Sequence, residues 1–412
     1  MFQGQYSGCC GSGGQAFPGT SRSRGCRRQK RGKDGITVEE EARARLKEAE
    51  TIVVKIGTST LTHANGNLNL IFIERLVREI ADLKNQGKKM LLVSSGAIGA
   101  GMGRLGLDRK PKTIPEKQAL AAIGQGILIH VYEKIFAEYG QIAAQILLTR
   151  DDLFFRKRYV NSCNTLISLL KCGAIPIINE NDTVAVEEIE FGDNDNLSVL
   201  VAGLVNADLL INLSDIDGLY TTDPNCNPSA ELITYVEEIT PAIEGLAAAS
   251  GGHLGTGGMA TKINAAKIAI NSGFSLVIAN GRKPGIIADI LAGKRVGTLF
   301  PPRSRTLHGR KKWIAFASTI QGRLIIDRGA EAAIRDDGKS LLPSGIIKAE
   351  GDFEKGDTVS IVDLDGQELA RGIANYSSKE IETIKGLKTK DIERLLGKCD
   401  SEAVHRDNLV VL

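Results

Sequence analysis

Between residues 51 and 280 the chain alternates short β-branched apolar runs with longer stretches of helical spacing, and few architectures satisfy that alternation. Runs at 51–56, 89–93, 142–148, 174–178, 209–213 and 276–279 are apolar almost throughout. Between them, 70–83, 115–139, 158–171, 197–205 and 259–272 repeat apolar residues at intervals of three and four. A strand that is apolar along its whole length is buried on both faces. The pattern therefore predicts an α/β domain: a mostly parallel sheet covered by helices on either side. Polar clusters follow four of the runs: Lys55–Ser59, Ser94–Gly96, Asn179–Asp182 and Ser214–Asp217. In open sheets of this kind ligands bind at the carboxyl ends of the strands, so the clusters mark one candidate edge.

At 412 residues the chain has room for two or three domains, and 42% hydrophobic with 25% charged residues is ordinary for a globular protein. No apolar run approaches the roughly 18–20 residues of a membrane span. The net charge of +3 is unevenly spread: residues 1–33 hold seven basic and no acidic side chains, leaving 45 basic against 49 acidic in the remainder. A body of that balance gives no reason to expect nucleic-acid binding. The basic head lacks apolar periodicity and reads as a disordered extension, with only a faint likeness to an organellar transit peptide. Outside the basic head, which holds Cys9, Cys10 and Cys26, the cysteines Cys163, Cys172, Cys226 and Cys399 show no paired or metal-type spacing and the five histidines are scattered, so a reducing cytoplasm is the expected setting. After a basic, Pro-containing linker the texture changes to short alternating runs broken by Gly and Asp, a small β-rich domain. The expected division is 1–50 extension and linker, 51–302 α/β domain, 303–312 linker, 313–398 β-rich domain and 399–412 tail.

The segment Gly192–Ser198 carries more information than any other. Two aspartates and two asparagines alternate after a glycine, directly before an apolar periodic run. Asp195 or Asn196 suits a helix cap, but one cap needs one such residue, and the surplus calls for another task at a helix N-terminus. Lys55 ends the first run inside Val-Val-Lys-Ile-Gly-Thr-Ser, a setting for phosphate or for a lysine leaving the sheet edge. Ser94-Ser95-Gly96-Ala97 offers the open N–H groups of a helix start to an anion, or an ordinary N-cap. His253–Lys262 is a glycine-rich loop running into a helix; it suits nucleotide phosphates or a plain linker, and it lacks the Gly-Lys-Ser/Thr order of a Walker A loop. Ser214-Asp215 with Asp217 and Asp223 suits a metal or adenine-side contacts, or a capped turn. Gly101-x-Gly103-x-x-Gly106 matches a dinucleotide fingerprint formally but does not follow a strand directly. Separated lysines, glycine-rich anion loops and acidic strand ends together fit phosphoryl transfer.

Val53–Ser59, Ser95–Ile98, Ile178–Asp182, Gly192–Ser198 and Gly255–Lys262 resemble, in order, the motifs of the amino acid kinase family, in the branch whose acceptor is glutamate. Leu341–Gly345, Gly356–Val359 and Val404–Asp407 resemble the PUA-type tail domain found in that branch. The resemblance implies a three-layer amino acid kinase fold followed by a small β-rich PUA-like domain. It implies transfer of the ATP γ-phosphoryl group to the side-chain carboxylate of L-glutamate, the first committed step toward proline, with Mg²⁺ accompanying the nucleotide. Carried over, Ser95, Asp182 and Asn194 hold glutamate, while Lys55 and Lys262 neutralise developing charge and Asp195 orders them. Ser214, Asp215, Thr256, Gly257, Gly258, Met259, Ala260, Thr261 and Lys262 hold ATP together with Lys55. Ser214 stands where the family usually carries threonine, and the hydroxyl is retained. Feedback inhibition by proline and a dimeric or tetrameric assembly are further implications. PUA modules commonly contact RNA, but the acidic body carries no interleaved basic and aromatic stretch, so RNA is not expected as the main partner. Sister acceptors such as aspartate, N-acetylglutamate, carbamate or a nucleoside monophosphate remain the alternatives within the fold.

Overall fold

The computed structural model describes residues 37–411 apart from 64, 108, 110, 155, 185–193, 225, 250–257, 304–319, 388–391 and 393–401. The basic head, Asp193, Thr256, Gly257 and all but the first residue of the 303–312 linker therefore lie outside the described residues. Seven strands build the main sheet: β1 (Thr51–Ile56), β2 (Lys89–Ser94), β3 (Ile142–Leu148), β4 (Ala174–Glu180), β5 (Leu209–Ser214), β8 (Ser275–Asn280) and β9 (Thr298–Phe300). A two-stranded ribbon of β6 (Leu219–Tyr220) and β7 (Leu232–Ile233) lies between β5 and β8 in sequence. The sheet order is β3-β4-β2-β1-β5-β8-β9, parallel except for β9, which runs antiparallel to β8.

Because successive side chains point to opposite faces, each strand feeds two cores. Ile52, Val54 and Ile56 of β1 join one with Ile211 and Leu213 of β5 and the Leu70–Asn85 and Ile114–Glu138 helices. Val53 and Leu210 face the other, beneath the Asn194–Leu204 and Met259–Ser272 helices. Sheet and two helical covers make three layers.

The Ile114–Glu138 helix opens on a Thr113/Glu116 capping box with Pro115 in its first turn. By length and composition alone it is apolar enough to cross a membrane. Its Leu128, Tyr132 and Phe136 belong to the core. It meets the Ala97–Leu105 helix backbone to backbone: a Cβ on Gly124 would fall 1.7 Å from the Ala97 carbonyl oxygen, and one on Gly101 would fall 2.1 Å from that of Leu120. Gly101 is thus a packing residue, and Gly106 ends that helix in the left-handed region at φ 64°. No dinucleotide turn is formed there.

Two boundaries differ from expectation. Residues anticipated as linker form a helix, Val38–Arg45, whose Arg43 is only 2% exposed. Arg43 Nε donates to Glu39 Oε1, Nη1 to the carbonyls of Lys294 and Val296, and Nη2 to those of Thr234 and Gly297. An arginine that finds an acceptor for every N–H anchors its helix to the neighbouring loops, and composition alone does not reveal it. At the other end, β10 (Ile320–Ile326), β11 (Ile346–Gly351), β12 (Thr358–Val362), β13 (Glu368–Ile373) and β14 (Leu409–Val411) form a second sheet, ordered β11-β10-β12-β13-β14. Because β14 pairs antiparallel with β13, the last residues complete this sheet and do not trail beyond it as a tail.

Candidate active site

Lys55 and Asn212 occupy equivalent levels on neighbouring strands, paired in register between β1 and β5. Both point to the face that otherwise presents Val53 and Leu210, so two polar side chains interrupt an apolar layer just short of the carboxyl edge. The helices above supply their partners. Asp195, in the first turn of the Asn194–Leu204 helix, is wholly buried; Lys262, in the first turns of the Met259–Ser272 helix, is 5% exposed, as is Lys55. Lys55 Nζ donates to Asp195 Oδ1, and Lys262 Nζ to Oδ2 at 3.0 Å. Asn212 Nδ2 donates to Oδ1 at 2.8 Å, and Thr261 Oγ1 lies 3.2 Å from Oδ2.

Burial alone would raise the carboxyl pKa of Asp195. The two ammonium groups outweigh it and hold the group well below the usual carboxylate range. The helix begins at Asn194, so Asp195 lies inside the first turn, and its carboxylate serves the lysines. This corrects the reading of Asp195 or Asn196 as the capping residue.

A second cluster adjoins the end of β2. Asn194 Nδ2 lies 2.9 Å from the Ser94 carbonyl, from Ser95 Oγ and from Asn179 Oδ1. Asn179, at the end of β4, passes its own amide to Gln125 Oε1 at 2.7 Å. Behind it, Ser94 Oγ meets the fully buried Tyr132 hydroxyl at 3.0 Å. Burial pushes the Tyr132 hydroxyl pKa up, so it stays protonated and hydrogen-bonded. Asp182 sits half-buried in the turn after β4.

Two helix N-termini open on this edge. The Ala97–Leu105 helix starts at Gly96, φ 97°, and the Met259–Ser272 helix starts at Gly258; neither has a side-chain cap. The ordinary Ser N-cap that the sequence allowed is not formed. Uncapped N–H groups and the helix dipole favour an anion at both places.

On the far side of β5, Ser214 is buried and Asp215 exposed, with Ser214 Oγ 3.2 Å from Asp215 Oδ1. Asp217 accepts from Asn280 at 2.9 Å and pairs with Lys283 at 2.8 Å. Those partners outweigh burial and lower its carboxyl pKa. Met259 is buried and Ala260 exposed, while Thr256 and Gly257 lie outside the described residues. The structure thus joins Lys55, Asp195, Lys262 and Thr261 in one contact cluster and Asn194 with Ser95 in another. Ser214 and Asp215 share only the sheet edge with them. Asn179, Asn212, Gln125 and Tyr132 were not among the expected site residues. A signal existed for Asn212, an amide inside an otherwise apolar run.

Positive charge gathered under two open helix N-termini, at the carboxyl edge of a parallel sheet, meets the requirements of phosphoryl transfer and defines an α/β phosphotransferase. The chain belongs to the amino acid kinase family, whose model matches residues 50–280, and a PUA domain model matches residues 322–396. It is 58% identical over 362 residues to the glutamate 5-kinase of Caldanaerobacter subterraneus subsp. tengcongensis, covering 88% of this chain and 97% of that protein. It is 56% identical over 375 residues to the glutamate 5-kinase of Moorella thermoacetica, covering 91% and 99%. The corresponding enzyme of Geobacter sp. strain M21 is 49% identical over 368 residues, covering 89% and 99%.

Proposed function

We propose that this protein transfers the γ-phosphoryl group of ATP to the side-chain carboxylate of L-glutamate, giving L-glutamyl 5-phosphate, the first step of proline biosynthesis. The observation that carries the reading is the buried Lys55–Asp195–Lys262 cluster, read beside the identity to glutamate 5-kinases over nearly their whole length.

An anionic acceptor must approach a triphosphate, so the main obstacle is repulsion. Lys55 and Lys262 supply the compensating charge, and Asp195 holds both ammonium groups in place. Asn194 and the Ser95–Gly96 turn receive the amino acid, the open N–H groups suiting its α-carboxylate. Asp182 is the carboxylate for its α-ammonium. Thr256–Lys262, Ser214 and Asp215 hold the nucleotide, with the uncapped N-terminus at Gly258 against the phosphates. In this mechanism the glutamate side-chain oxygen attacks the γ-phosphorus in line, the bond to the β-bridging oxygen breaks, and ADP leaves with that electron pair. Both reacting oxygens are already unprotonated, so no general base is required.

Mg²⁺ bound to a nucleotide is ligated mainly by phosphate oxygens and water. With Asp195 taken by two lysines, the exposed Asp215 is the carboxylate that fits a cation carried in this way. When bound, the metal neutralises phosphate charge. Proline as feedback inhibitor, a dimeric or tetrameric assembly and a cytoplasmic setting complete the reading, with RNA binding by the PUA domain left outside the main activity.

The test is ADP release with hydroxylamine trapping of the acyl phosphate, run with glutamate, aspartate and N-acetylglutamate. Hydroxamate from glutamate alone is the expected result. Trapping with another acceptor, or ATP turnover without trapping, would overturn it.

A further inference from the structure

Asn212 is fully buried at the level of Lys55, in a strand whose neighbouring positions are Leu210, Ile211 and Leu213. Its Nδ2 donates to Asp195 Oδ1, the same oxygen that receives Lys55. Its own Oδ1 has no hydrogen-bond partner among the described residues. A buried amide that leaves its carbonyl unsatisfied is a poor choice for stability, because that group keeps its desolvation penalty. A leucine has the same branching and no polar atom to satisfy. The compensation is local and lies entirely in what the amide gives Asp195.

A carboxylate offers about four lone-pair positions. Among the described residues two ammonium groups and two neutral donors, Asn212 and Thr261, approach it. Thr261 is a divided donor: its one hydroxyl proton also faces the Gly258 carbonyl, at 2.7 Å against 3.2 Å for Asp195 Oδ2. Asn212 comes from the rigid centre of the sheet, between β1 and β8.

We propose that Asn212 is a positioning residue for phosphoryl transfer: its amide pins the Asp195 carboxylate from the sheet side, so that the lysines turn toward the transferring group without Asp195 reorienting. The proposal rests on the reading of Lys55, Asp195 and Lys262 as the phosphoryl-transfer cluster. It goes beyond that reading by assigning the aim of the cluster to a neutral residue that touches no substrate. A pinned carboxylate matters in the transition state, when the ammonium groups shift toward new charge. It matters little for ground-state binding.

The experiment compares glutamate-dependent ADP release and thermal unfolding of the full chain for the wild type, Asn212→Leu, Asn212→Thr and Asp195→Asn. Asn212→Leu is expected to lower kcat three- to tenfold, with both KM values within twofold and the thermal midpoint unchanged or raised. Asn212→Thr, which restores a donor on a strand-compatible side chain, should recover part of the kcat. If Asn212→Leu does not fold, the threonine variant carries the test with a smaller loss of kcat at unchanged KM. Unchanged kcat in a folded variant, or a loss confined to KM, overturns the proposal. Asp195→Asn separates the two failures: a collapse of kcat there with no effect at 212 rejects the role of Asn212 alone, whereas no effect at either position rejects the cluster itself.

Discussion

Two buried ion clusters in the same domain are built on opposite plans. Around Arg43, one buried cation meets Glu39, which also pairs with the exposed Arg295, and four backbone carbonyls, so that all five of its N–H groups are used. Around Asp195, one wholly buried carboxylate receives two buried lysines, Lys55 and Lys262. The first arrangement has nothing left to offer a ligand and ties the Val38–Arg45 helix to the loops near β7 and β9. The second holds positive charge in a low-dielectric place and stands ready for an incoming anion. Burying charged side chains is costly in the resting protein, and a phosphate brought to this edge would add negative charge beside both lysines. What separates the two is the neutralising partner: backbone carbonyls saturate the buried arginine, whereas the buried lysines converge on a carboxylate.

The comparison breaks most visibly at Arg43. Arg43→Met should destabilise the fold by about 3–5 kcal/mol, the usual cost of stranding the partner of a buried ion pair, while kcat per folded molecule stays near wild type. Denaturant unfolding beside active-site titration would check this. Asp195→Asn should behave the other way, lowering kcat by roughly 10²–10³, about 2.7–4 kcal/mol, with a smaller change in KM. Steady-state kinetics that placed the whole effect in the glutamate KM would move Asp195 into the binding set.

Smaller effects come from packing and titration. Gly124→Ala forces a methyl group into the Ala97 carbonyl, and a cost of roughly 1–3 kcal/mol is expected. The Ser95–Gly96 turn lies at the end of the displaced helix, so the glutamate KM should rise with the loss of stability. Glu79 is a third case, a half-buried carboxylate whose Oε2 has no partner among the described residues. Burial pushes its pKa above the ordinary 4.5. A raised acid contributes stability that is fully present below that ordinary value and is lost as pH rises through the folded one. Glu79→Gln should therefore gain thermal midpoint relative to wild type between pH 4 and pH 7. A constant offset across that range would show that Glu79 is not desolvated as its burial implies.

Much of this was readable beforehand. Period and apolarity located β1 through β5 and the Met259–Ser272 helix, because parallel strands buried on both faces leave a strong local signal. The separate motifs around Lys55, Ser95, Asp195 and Lys262 were visible as residue types, though nothing local states that Lys55 and Lys262 meet on one carboxylate. That contact depends on β1 lying beside β5 with two helices crossing above, a long-range property of the sheet order. Arg43 was unreadable for a related reason: its acceptors are backbone carbonyls some 190 to 250 residues away, and carbonyls have no sequence signature. Asn212 gave a faint sign, a polar residue in an apolar strand, whose meaning came only from its register with Lys55. β14 was mistaken for a tail because three residues pairing with a distant strand carry no periodicity of their own.

The most direct test of the central claim is the initial rate of glutamate-dependent hydroxamate formation by Lys262→Met, a near-isosteric change that leaves Lys55 paired with Asp195. A rate at least tenfold below wild type, with the thermal midpoint little changed, is the predicted result. A folded variant that turns over within twofold of wild type would contradict the claim that the buried lysines gathered on Asp195 drive phosphoryl transfer.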